Sequence, residues 1–557
     1  MPLFSWPGWI SGGKPVTDKQ KGSLGQSLGP LKHATFAVLW GATVLGNTGS
    51  FMRDIASSWM VTELGGGAAA VSAIQAAGTL PVFLLAIPAG VLSDILDRRR
   101  FLVAVQFFMA LVSTILAFLA VTGSLSVAAM IALTFAGGVG AALVGPTWQS
   151  IVPELVPREE LKDAVALNSL GINIARAIGP AAGGAILAGL GAAATYGGDI
   201  LSDVLVIGAL LWWRRASTAD KALPENFLGA FRAGLRYTRA SKELHVVLLR
   251  AAVFFVFASS VWALLPLVAR GELKGGAGFY GILMGAVGAG AIAGAMLLPR
   301  LRARCSANAL LLGASLLSAA VMVTLALVPV KAVAFVALLV LGGAWIMSLT
   351  TFNGVAQGIL PNWVRGRALA VYLTVFNGAM AAGSMGWGAV AEGIGVPSAL
   401  LVSAAGLVVA AFVMNRVKLP TVEADLTSSH QWAEPLTADP VANDRGPVLI
   451  LVDYRVARDR QAAFVSAMDR LSTERRRDGA YAWGLSQDST DPERLVEWFM
   501  VESWAEHLRQ HQRFSHAGAD LQNEAVAFHS GAAPPLVTHL IGIDARSLSQ
   551  IGSSPIL

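Results

Sequence analysis

The chain has little charge and almost no cysteine. Of its 557 residues, 14% are charged, 55% are hydrophobic and one, Cys305, is a cysteine. A soluble chain of this composition would expose far too much apolar surface, and a single cysteine excludes an intrachain disulfide or a zinc site built from cysteines. Together with a mean hydropathy of +0.60, this predicts a protein embedded in a lipid bilayer.

The sequence gives no sign of nucleic acid binding, ATP hydrolysis or a cofactor. The net charge is +6, but the basic residues lie in short loops between apolar runs and not in a tract with interleaved aromatic residues, so no nucleic acid partner is predicted. The sequence contains no G-x-x-x-x-G-K-[ST] phosphate loop, so we expect no ATP hydrolysis on this chain. No cofactor is predicted either.

Apolar segments of membrane-spanning length occur in two groups of six. They lie at about 36–61, 70–92, 101–121, 127–152, 164–190 and 197–213, and at about 245–269, 277–299, 306–329, 332–355, 367–391 and 396–415. We predict an all-α membrane protein with twelve transmembrane helices, in bundles at 33–213 and 245–418. Residues 1–32 are predicted to form a tail without a secretory apolar core, and 214–244 a linker with an amphipathic helix.

An internal repeat relates the two groups. The segment from Gln149 to Gly184 recurs from Gln357 to Gly388, and Asn173 falls on Asn377 after a four-residue deletion in the polar loop. Both copies are rich in small residues around a short charged turn, as two membrane helices joined by a loop would be. The repeat predicts two six-helix pseudo-repeats, which is a common way to build transporters.

Lysine and arginine are distributed unequally between the two sides of the predicted bundle. One side holds Arg270, Lys274 and Lys331. The other side holds Arg98, Arg99, Arg100, Arg158, Lys162, Arg214, Arg215, Lys221, Arg232, Arg236, Arg239, Lys242, Arg300, Arg302, Arg304, Arg365 and Arg367. The positive-inside rule predicts that this second side is cytoplasmic. An even number of spans then puts both chain ends in the cytoplasm.

The loop after the second span reads GVLSDILDRRR and resembles the loop signature of the major facilitator superfamily, G-x-L-x-D-R-x-G-R-R. The matching residues are Gly90, Leu92, Asp94, Arg98 and Arg99, whereas Ile95 and Asp97 depart from the pattern. The resemblance implies that Asp94 and the two arginines hold a cytoplasmic gate, with Gly90 allowing close helix approach. The alternative is a positive-inside loop with one neutralising acid.

The fifth span carries Asn173, Arg176 and a glycine- and proline-rich motif made of Gly179, Pro180, Gly183 and Gly184. With the preceding VPELVPREELKDAVALNS, it is similar to the transmembrane secretion effector group, the branch of enterobactin exporters and macrolide efflux pumps. The resemblance covers about residues 30–415. It implies proton antiport of a small amphipathic siderophore or macrolide-like molecule through alternating access, in a bacterial inner membrane. An ordinary packed helix remains compatible with the motif.

Charged residues inside spans are costly and therefore functional candidates. We predict that Arg53, Asp54 and Arg176 form a buried cluster whose surplus positive charge favours an anionic cargo. Asp199 and Asp203 are four residues apart on one helix face and could carry protons, although Asp199 could instead lie at the interface. Asn47 and Gln75 are candidates for cavity hydrogen bonds or for contacts between helices.

A soluble module follows a linker at 419–445. Residues 446–545 read as βαββαβ, a ferredoxin-like order, and 546–557 as a tail. The module resembles the dimeric α/β-barrel domains related to antibiotic-biosynthesis monooxygenases, which implies a cytoplasmic domain that forms homodimers. No H-E-x-x-H motif accompanies its histidines, so a solvated helix face is favoured over a metal site. These histidines are His507, His511, His516, His529 and His539.

Two functional classes remain open from the sequence. The first is the exporter, with no catalytic residues. The second is a membrane-anchored enzyme or sensor whose working part is the C-terminal module. An anchor would not need duplicated bundles with buried charges, so the exporter is the favoured prediction.

Overall fold

The computed structural model describes residues 29–214, 227–361, 363–420, 429, 437 and 441–543, without the side chains of 87, 91, 93–95, 158, 162, 227–233 and 512. The predicted tail 546–557, residues 1–28 of the predicted tail 1–32, residues 215–226 of the first linker and most of the second linker lie outside these residues. The helices before the soluble module are α1 Ala34–Glu63, α2 Ala68–Ile95, α3 Arg98–Val121, α4 Val127–Leu155, α5 Leu161–Trp212, α6 Phe227–Ala240, α7 Lys242–Leu267, α8 Ala277–Arg302, α9 Ala307–Leu327, α10 Lys331–Gly358, α11 Arg365–Ile394 and α12 Val396–Arg416.

Ten helices in the described part of the chain are long and apolar enough to cross a membrane. The 30-residue α1, which contains Arg53 and Asp54, is not among these ten. Helix α5 counts once although it has 52 residues, and it contains a break at Gly191, where φ is +82°. Glycine adopts this conformation without steric cost. The break divides α5 into a first segment, 161–190, and a second segment, 192–212.

Short polar residues fix where several helices begin. Asp97 accepts a hydrogen bond from the backbone N–H of Arg100 at the start of α3. Ser126, Ser241 and Ser306 do the same at the starts of α4, α7 and α9. A side-chain oxygen at this position satisfies an amide that has no partner inside the helix, which stabilises a helix by about 1 kcal/mol.

The helices pack in a pattern of neighbouring pairs. Helix α1 packs against α5, α2 against α4 and α11, α3 against α5, α7 against α11, α8 against α5 and α10, and α9 against α10 and α12. We call α1–α5 the first half and α7–α12 the second half. The loops 96–97, 156–160, 303–306 and 359–364 lie at one end of the bundle, here named the basic end, and the loops 64–67, 122–126, 273–276 and 328–330 lie at the far end.

The C-terminal module contains a four-stranded antiparallel sheet with strand order β2-β3-β1-β4. Its elements are β1 Val448–Arg455, α13 Gln461–Arg477, β2 Ala482–Gln487, β3 Arg494–Val501, α14 Trp504–Arg513, α15 His516–Val526 and β4 Leu536–Ile541. This order fits the predicted βαββαβ module, in which the second helical stretch consists of the two helices α14 and α15. Side chains alternate between the two faces of β1 and β3.

The side chains on one sheet face form the core of the module with the helices. Tyr454, Phe464 and Phe499 are almost fully buried there. Arg475, which is 3% exposed, donates from Nε and Nη2 to the two carboxylate oxygens of the fully buried Glu497 at 3.0 and 3.3 Å. A buried ion pair of this kind is tolerated because both partners are hydrogen-bonded.

Candidate functional site

Helix α1 carries polar side chains on two faces. Asn47, Phe51, Asp54 and Ser58 follow one another at helical spacing on a face that is half-buried or exposed. Arg53 lies on a different face and is 4% exposed. The same helix therefore presents one polar stripe to open space and a charge to the interior of the first half.

A hydrogen-bonded charge network surrounds Arg53. Its guanidinium donates to Oδ2 of Asp199 at 3.0 Å, and Ser113 Oγ donates to the same oxygen at 2.6 Å. Asp199 comes from the second segment of α5 and is fully buried. Two glycines make room for the pair, since a Cβ on Gly49 would lie 2.7 Å from Asp199 Oδ1 and one on Gly137 would lie 3.4 Å from the guanidinium.

A second buried carboxylate lies one turn further along α5. Asp203 is fully buried, and Gln106 donates to its Oδ1 at 2.6 Å. Asp199 Oδ1 and Asp203 Oδ2 have no hydrogen-bond partner among the described residues. Both acids are fully buried, so Asp199 does not lie at an interface with water.

Asp54 is the accessible end of this network. Its carboxylate lies 3.6 Å from the Arg53 guanidinium, and its side chain is 57% exposed. One guanidinium therefore pairs with two carboxylates, those of Asp54 and Asp199, and the third carboxylate, that of Asp203, lies one helical turn further along α5. The network has more acids than bases.

Among the described residues, Arg53 pairs with Asp54 and Asp199, and no ion pair or hydrogen bond joins Arg176 to this group. Arg176 lies 5.9 Å from the centre of the Phe51 ring and has no ion pair within the described residues. It belongs to the first segment of α5, while the acids that pair with Arg53 belong to the second segment, which the break at Gly191 turns back along α1. The surplus positive charge that favoured an anionic cargo is therefore not present around Arg53.

The remaining predicted polar residues are Asn173, Asn47 and Gln75. Asn173 donates to the backbone oxygen of Ser169 at 2.9 Å. Asn47 and Gln75 are half-buried.

The glycine motif of the fifth span lies between α1 and α8. A Cβ on Gly179 would lie 2.7 Å from Phe51 Cβ, and one on Gly183 would lie 2.8 Å from Met52 Cα. A Cβ on Gly184 would lie 2.6 Å from the Cα of Gly281, whose own Cβ would lie 2.8 Å from the oxygen of Pro180. The first segment of α5 thus joins the two halves at backbone distance.

The arginines of the loop signature bind other helices of the first half. Arg98 donates to Glu154 at 2.6 Å, and Arg99 donates to the backbone oxygens of Leu210 and Leu211 at 2.7 and 2.5 Å. Cations suit these carbonyl groups at the end of a helix. A Cβ on Gly90 would meet no described atom within 4 Å, so no close helix approach is seen there. The side chain of Asp94 lies outside the described residues.

Two charged side chains join the halves at the far end. Glu392 of α11 accepts a hydrogen bond from the backbone N–H of Ala69 at 3.1 Å, at the start of α2. Arg270 donates to the backbone oxygen of Thr62, in the last turn of α1. An anion at a helix start and a cation at a helix end both match the helix dipole. We call Glu392 and Arg270 the far-end clasp.

Aromatic rings join the halves beside the clasp. Trp59 of α1 stacks on Tyr280 of α8, with ring centroids 5.8 Å apart. The far end of the bundle is therefore closed between α1 and α8.

The C-terminal module is bound to the basic end. Arg236 of α6 pairs with Glu502 at 2.5 Å and with Glu506 at 3.5 Å. The Arg513 guanidinium lies 4.1 Å from the centre of the Trp363 ring, before α11. Burial opposes ionisation of Glu506, yet Arg513, Arg509 and Arg236 hold its pKa below the usual value.

The histidines of the module do not form a solvated helix face, contrary to the prediction. His507 is 1% exposed, and its imidazole meets His511 and His539. Burial, and then the two neighbouring imidazoles, lower the pKa of His507 to about 3. His516 is exposed, as predicted.

Sequence reasoning missed Gln106 and Ser113. Both are polar residues in an apolar span, seven apart and thus on one helix face, which was the available signal. It also missed Arg250 of α7, which is 5% exposed and donates to Asn308 and, at 2.9 Å, to the backbone oxygen of Val417. Arg250 holds the end of α12.

Solved structures with this arrangement of helices are transporters. The chain superposes on a bacterial homologue of the human lysosomal transporter spinster, in an inward-facing and unoccupied conformation, with a TM-score of 0.57 and 14% identity over 71% of this chain and 98% of the other. It superposes on a D-xylose-proton symporter with a TM-score of 0.54 and 16% identity, over 70% and 99% of the two chains. The chain therefore shares the fold of these two transporters.

The chain belongs to the transmembrane secretion effector family, whose model matches residues 25–547. The match extends through the C-terminal module. As the sequence predicted, the chain is a multi-pass membrane protein of this family.

Several transport and efflux proteins are similar to the chain. The macrolide efflux protein A of Streptococcus pyogenes is 23% identical over 242 residues, which are 43% of this chain and 60% of that protein. The staphyloferrin A transporter of Staphylococcus aureus is 24% identical over 45% and 64% of the two chains. The multidrug efflux pump Tap of Mycolicibacterium fortuitum is 26% identical over 64% and 87%. The chain thus spans somewhat less than two thirds of the first two relatives.

Proposed function

We propose that the protein exports a small amphipathic molecule across the bacterial cell membrane in exchange for protons. The observation that carries the proton coupling is the excess of carboxylates around Arg53. Export, and a drug-like or siderophore-like cargo, are supported by the relatives that are macrolide, multidrug or staphyloferrin transporters.

Asp203 is the proton carrier in this proposal. Arg53 neutralises Asp199, while Asp203 has an amide as its polar partner. An unpaired negative charge buried in a membrane protein is costly, so the charge balance favours a proton on Asp203. The exposed Asp54 would connect this buried pair with water through Arg53.

The direct test compares two aspartate to asparagine variants of α5. Asp203→Asn keeps the shape of the side chain and removes the exchangeable proton, and Asp163→Asn in the first turn of the same helix is the matched control. Proteoliposomes with a trapped pH dye would be given macrolides and siderophores in turn, after a cell accumulation screen in a pump-depleted host. We expect cargo-dependent proton flux in the wild type and the control only. Full flux in Asp203→Asn would refute the role of Asp203.

The cargo is expected to need no net negative charge. The accessible groups on the polar face of α1 are Asn47, Asp54 and Ser58, with the half-buried Arg176 beside Phe51. An acid and a base both border this space, which suits an amphipathic molecule with mixed polar groups. The substrate screen should therefore include cationic macrolides as well as anionic siderophores.

Twelve spans in two pseudo-repeats remain part of the proposal. Helix α1 is 30 residues long, and the break at Gly191 divides α5 into two segments, which together with the other nine long apolar helices give twelve. The packing supports the repeat, because three packed pairs of helices in the first half have counterparts in the second half. The pair of α1 with α5 corresponds to α7 with α11, and the pair of α2 with α4 corresponds to α8 with α10. The pair of α3 with the second segment of α5 corresponds to α9 with α12.

Orientation can be tested with single cysteines. Cys305 is exposed at the basic end, which the proposal assigns to the cytoplasm together with both chain termini. A membrane-impermeant maleimide added to intact cells should leave Cys305 unlabelled. It should label Leu190→Cys and Ser124→Cys in a Cys305→Ser background. Labelling of Cys305 in intact cells would show that the proposed orientation is reversed. An unlabelled Leu190→Cys would refute the proposed sixth span.

Alternating access is supported by the closed far end. The far-end clasp and the Trp59–Tyr280 stack hold α1 and α2 against the second half there. Helices α5 and α8 are in close contact through glycines of α8, from Gly278, which lies beside Ala188, to Gly288, which lies beside Ala177. Further toward the basic end, Leu170 and Met296 are exposed. The state fits a transporter that is open to the cytoplasm.

A homodimer through the C-terminal module completes the proposal. The sheet face opposite the helices carries the apolar residues Leu449, Leu451, Trp498, Met500 and Leu540, which are half-buried or exposed. An apolar sheet face of this kind is covered in a stable protein, and a second copy offers the same face by twofold symmetry. Replacing Leu451 and Trp498 by Asp and Arg should convert a detergent-purified dimer into a monomer, as measured by light scattering. A wild-type monomer would refute the dimer.

A further inference from the structure

Three histidine rings meet inside the C-terminal module. His507 and His511 lie one turn apart on α14, and His539 comes from β4. One ring nitrogen from each lies within 4.8 Å of the others. Strand register places His539 opposite Ile450, on the sheet face that the helices cover. Helix spacing and sheet alternation thus bring the three side chains to one point.

The spacing of the nitrogens suits a tetrahedral metal ion. His507 Nε2 and His511 Nε2 are 3.2 Å apart. Two ligands about 2.0–2.1 Å from a tetrahedral zinc ion are separated by roughly 3.3 Å. The ring centroids of His507 and His539 are 4.7 Å apart, so the third imidazole approaches the same point from the strand.

Buried polar atoms beside the rings lack partners. His507 Nδ1 and both amide atoms of Gln510 have no hydrogen bond of acceptable geometry among the described residues, and both side chains are 1% exposed. Buried polar atoms without a partner destabilise a fold, so a bound ion with its ligand set would explain why they are kept here. Gln510 is placed to orient the outer nitrogen of a ligand imidazole, as groups around metal-bound histidines do.

We propose that His507, His511 and His539 form a binding site for one zinc ion. Three imidazoles are a familiar zinc ligand set and leave the fourth position for water or an added ligand. The nearest acid on α14, Glu506, is bound by Arg513, Arg509 and Arg236 and is not free to close the shell. The site would therefore be an open one.

The test uses the full-length chain, purified with an affinity tag that contains no histidine and stripped with a chelator. Co²⁺, which reports tetrahedral coordination by its visible absorption, would be titrated first, and Zn²⁺ would then displace it in competition with a chromophoric chelator. We expect one ion per chain. His511→Gln and His539→Gln should each weaken zinc binding by about 100-fold or more, because loss of a ligand exceeds the 10–100-fold cost of losing an outer-shell partner.

His516→Gln, on the neighbouring helix α15, is the matched control and should bind zinc as the wild type does. Because the buried His507 could be needed for folding, the decisive variants are those of the half-buried His511 and His539. Resistance of the module to limited proteolysis would show that each variant is folded. If the wild type binds no more zinc than a folded His511→Gln/His539→Gln double variant, the proposal is overturned.

Discussion

At the scale of single residues, the partner of Arg53 is what sequence reasoning could not supply. Arg53 and Asp54 stood out as charges inside an apolar span, but the carboxylate that binds the guanidinium is Asp199, 146 positions away. The sequence prediction grouped Arg176, from the fifth predicted span, with Arg53 and Asp54, and it left Asp199, from the sixth predicted span, outside that cluster. Only the path of α5 around Gly191 decides between the two.

The first prediction concerns this pair. Arg53→Met should destabilise the protein by about 3–5 kcal/mol, because it leaves Asp199 buried without a cation. The double variant Arg53→Met/Asp199→Asn should recover much of this loss. The measurement is the thermal midpoint of the detergent-purified protein by tryptophan fluorescence. A single variant as stable as the wild type would show that the pair contributes nothing to folding.

Asp478 predicts a pH dependence of the C-terminal module. Burial, and then the nearby Glu474, raise its pKa to about 8 against the effect of three arginines. The folded chain then holds a proton that the unfolded chain releases above pH 4. The protonated Asp478 therefore makes its full contribution to the free energy of unfolding below pH 4. As the pH rises from 4 to 8, the free energy of unfolding falls by up to about 1.4 kcal/mol per pH unit.

The variant that tests it is Asp478→Asn, which cannot ionise. Limited proteolysis of the module in the full chain should accelerate between pH 6 and pH 8 in the wild type and much less in the variant, after correction for protease activity on an unfolded substrate. Equal acceleration in both would mean that Asp478 is ionised in the folded module.

At the scale of elements, the sequence predicted most of the architecture. Hydropathy and spacing gave spans that agree with α2–α4 and α7–α12 to within several residues, and alternation gave the strands. The joint in α5 was expected as a loop, but a single glycine with positive φ makes the turn. The pairing of α5 with α8 depends on matched glycines in both helices, and the sequence motif identified one of these helices.

Gly184→Ala tests that contact. Its Cβ would lie 2.6 Å from the Cα of Gly281, so two backbones must separate, which typically costs 1–3 kcal/mol. Gly189→Ala is the control, because nothing lies within 4 Å of its added methyl group. We expect Gly184→Ala to lower the thermal midpoint and the export rate while Gly189→Ala changes neither. If the two variants behaved alike, the close approach of Gly184 to Gly281 would contribute to neither stability nor export.

At the scale of the whole molecule, we expect transport to depend on the membrane helices and not on the C-terminal module. We predict that a chain ending at Pro420 still exports cargo, because the buried network lies in the first half. A chain that ends at Pro420 keeps Leu419, whose N–H donates to Asn308 at 3.1 Å. This hydrogen bond helps to hold the end of α12. Cargo accumulation at equal protein level is the measurement. A chain that loses all export while remaining folded would show that the module takes part in transport.

The contacts of the module described above are made with one side of the transporter. Arg236 belongs to α6 and Trp363 precedes α11, and in addition Glu243 of α7 forms an ion pair with Arg477 of the module. Gly234 of α6 packs on Arg367 of α11. A module fixed in this way travels with the second half. In a dimer joined through the two modules, the second halves would be anchored to each other as a stator, and the rocking of each cycle would fall to the first halves, which carry Arg53 and its acids.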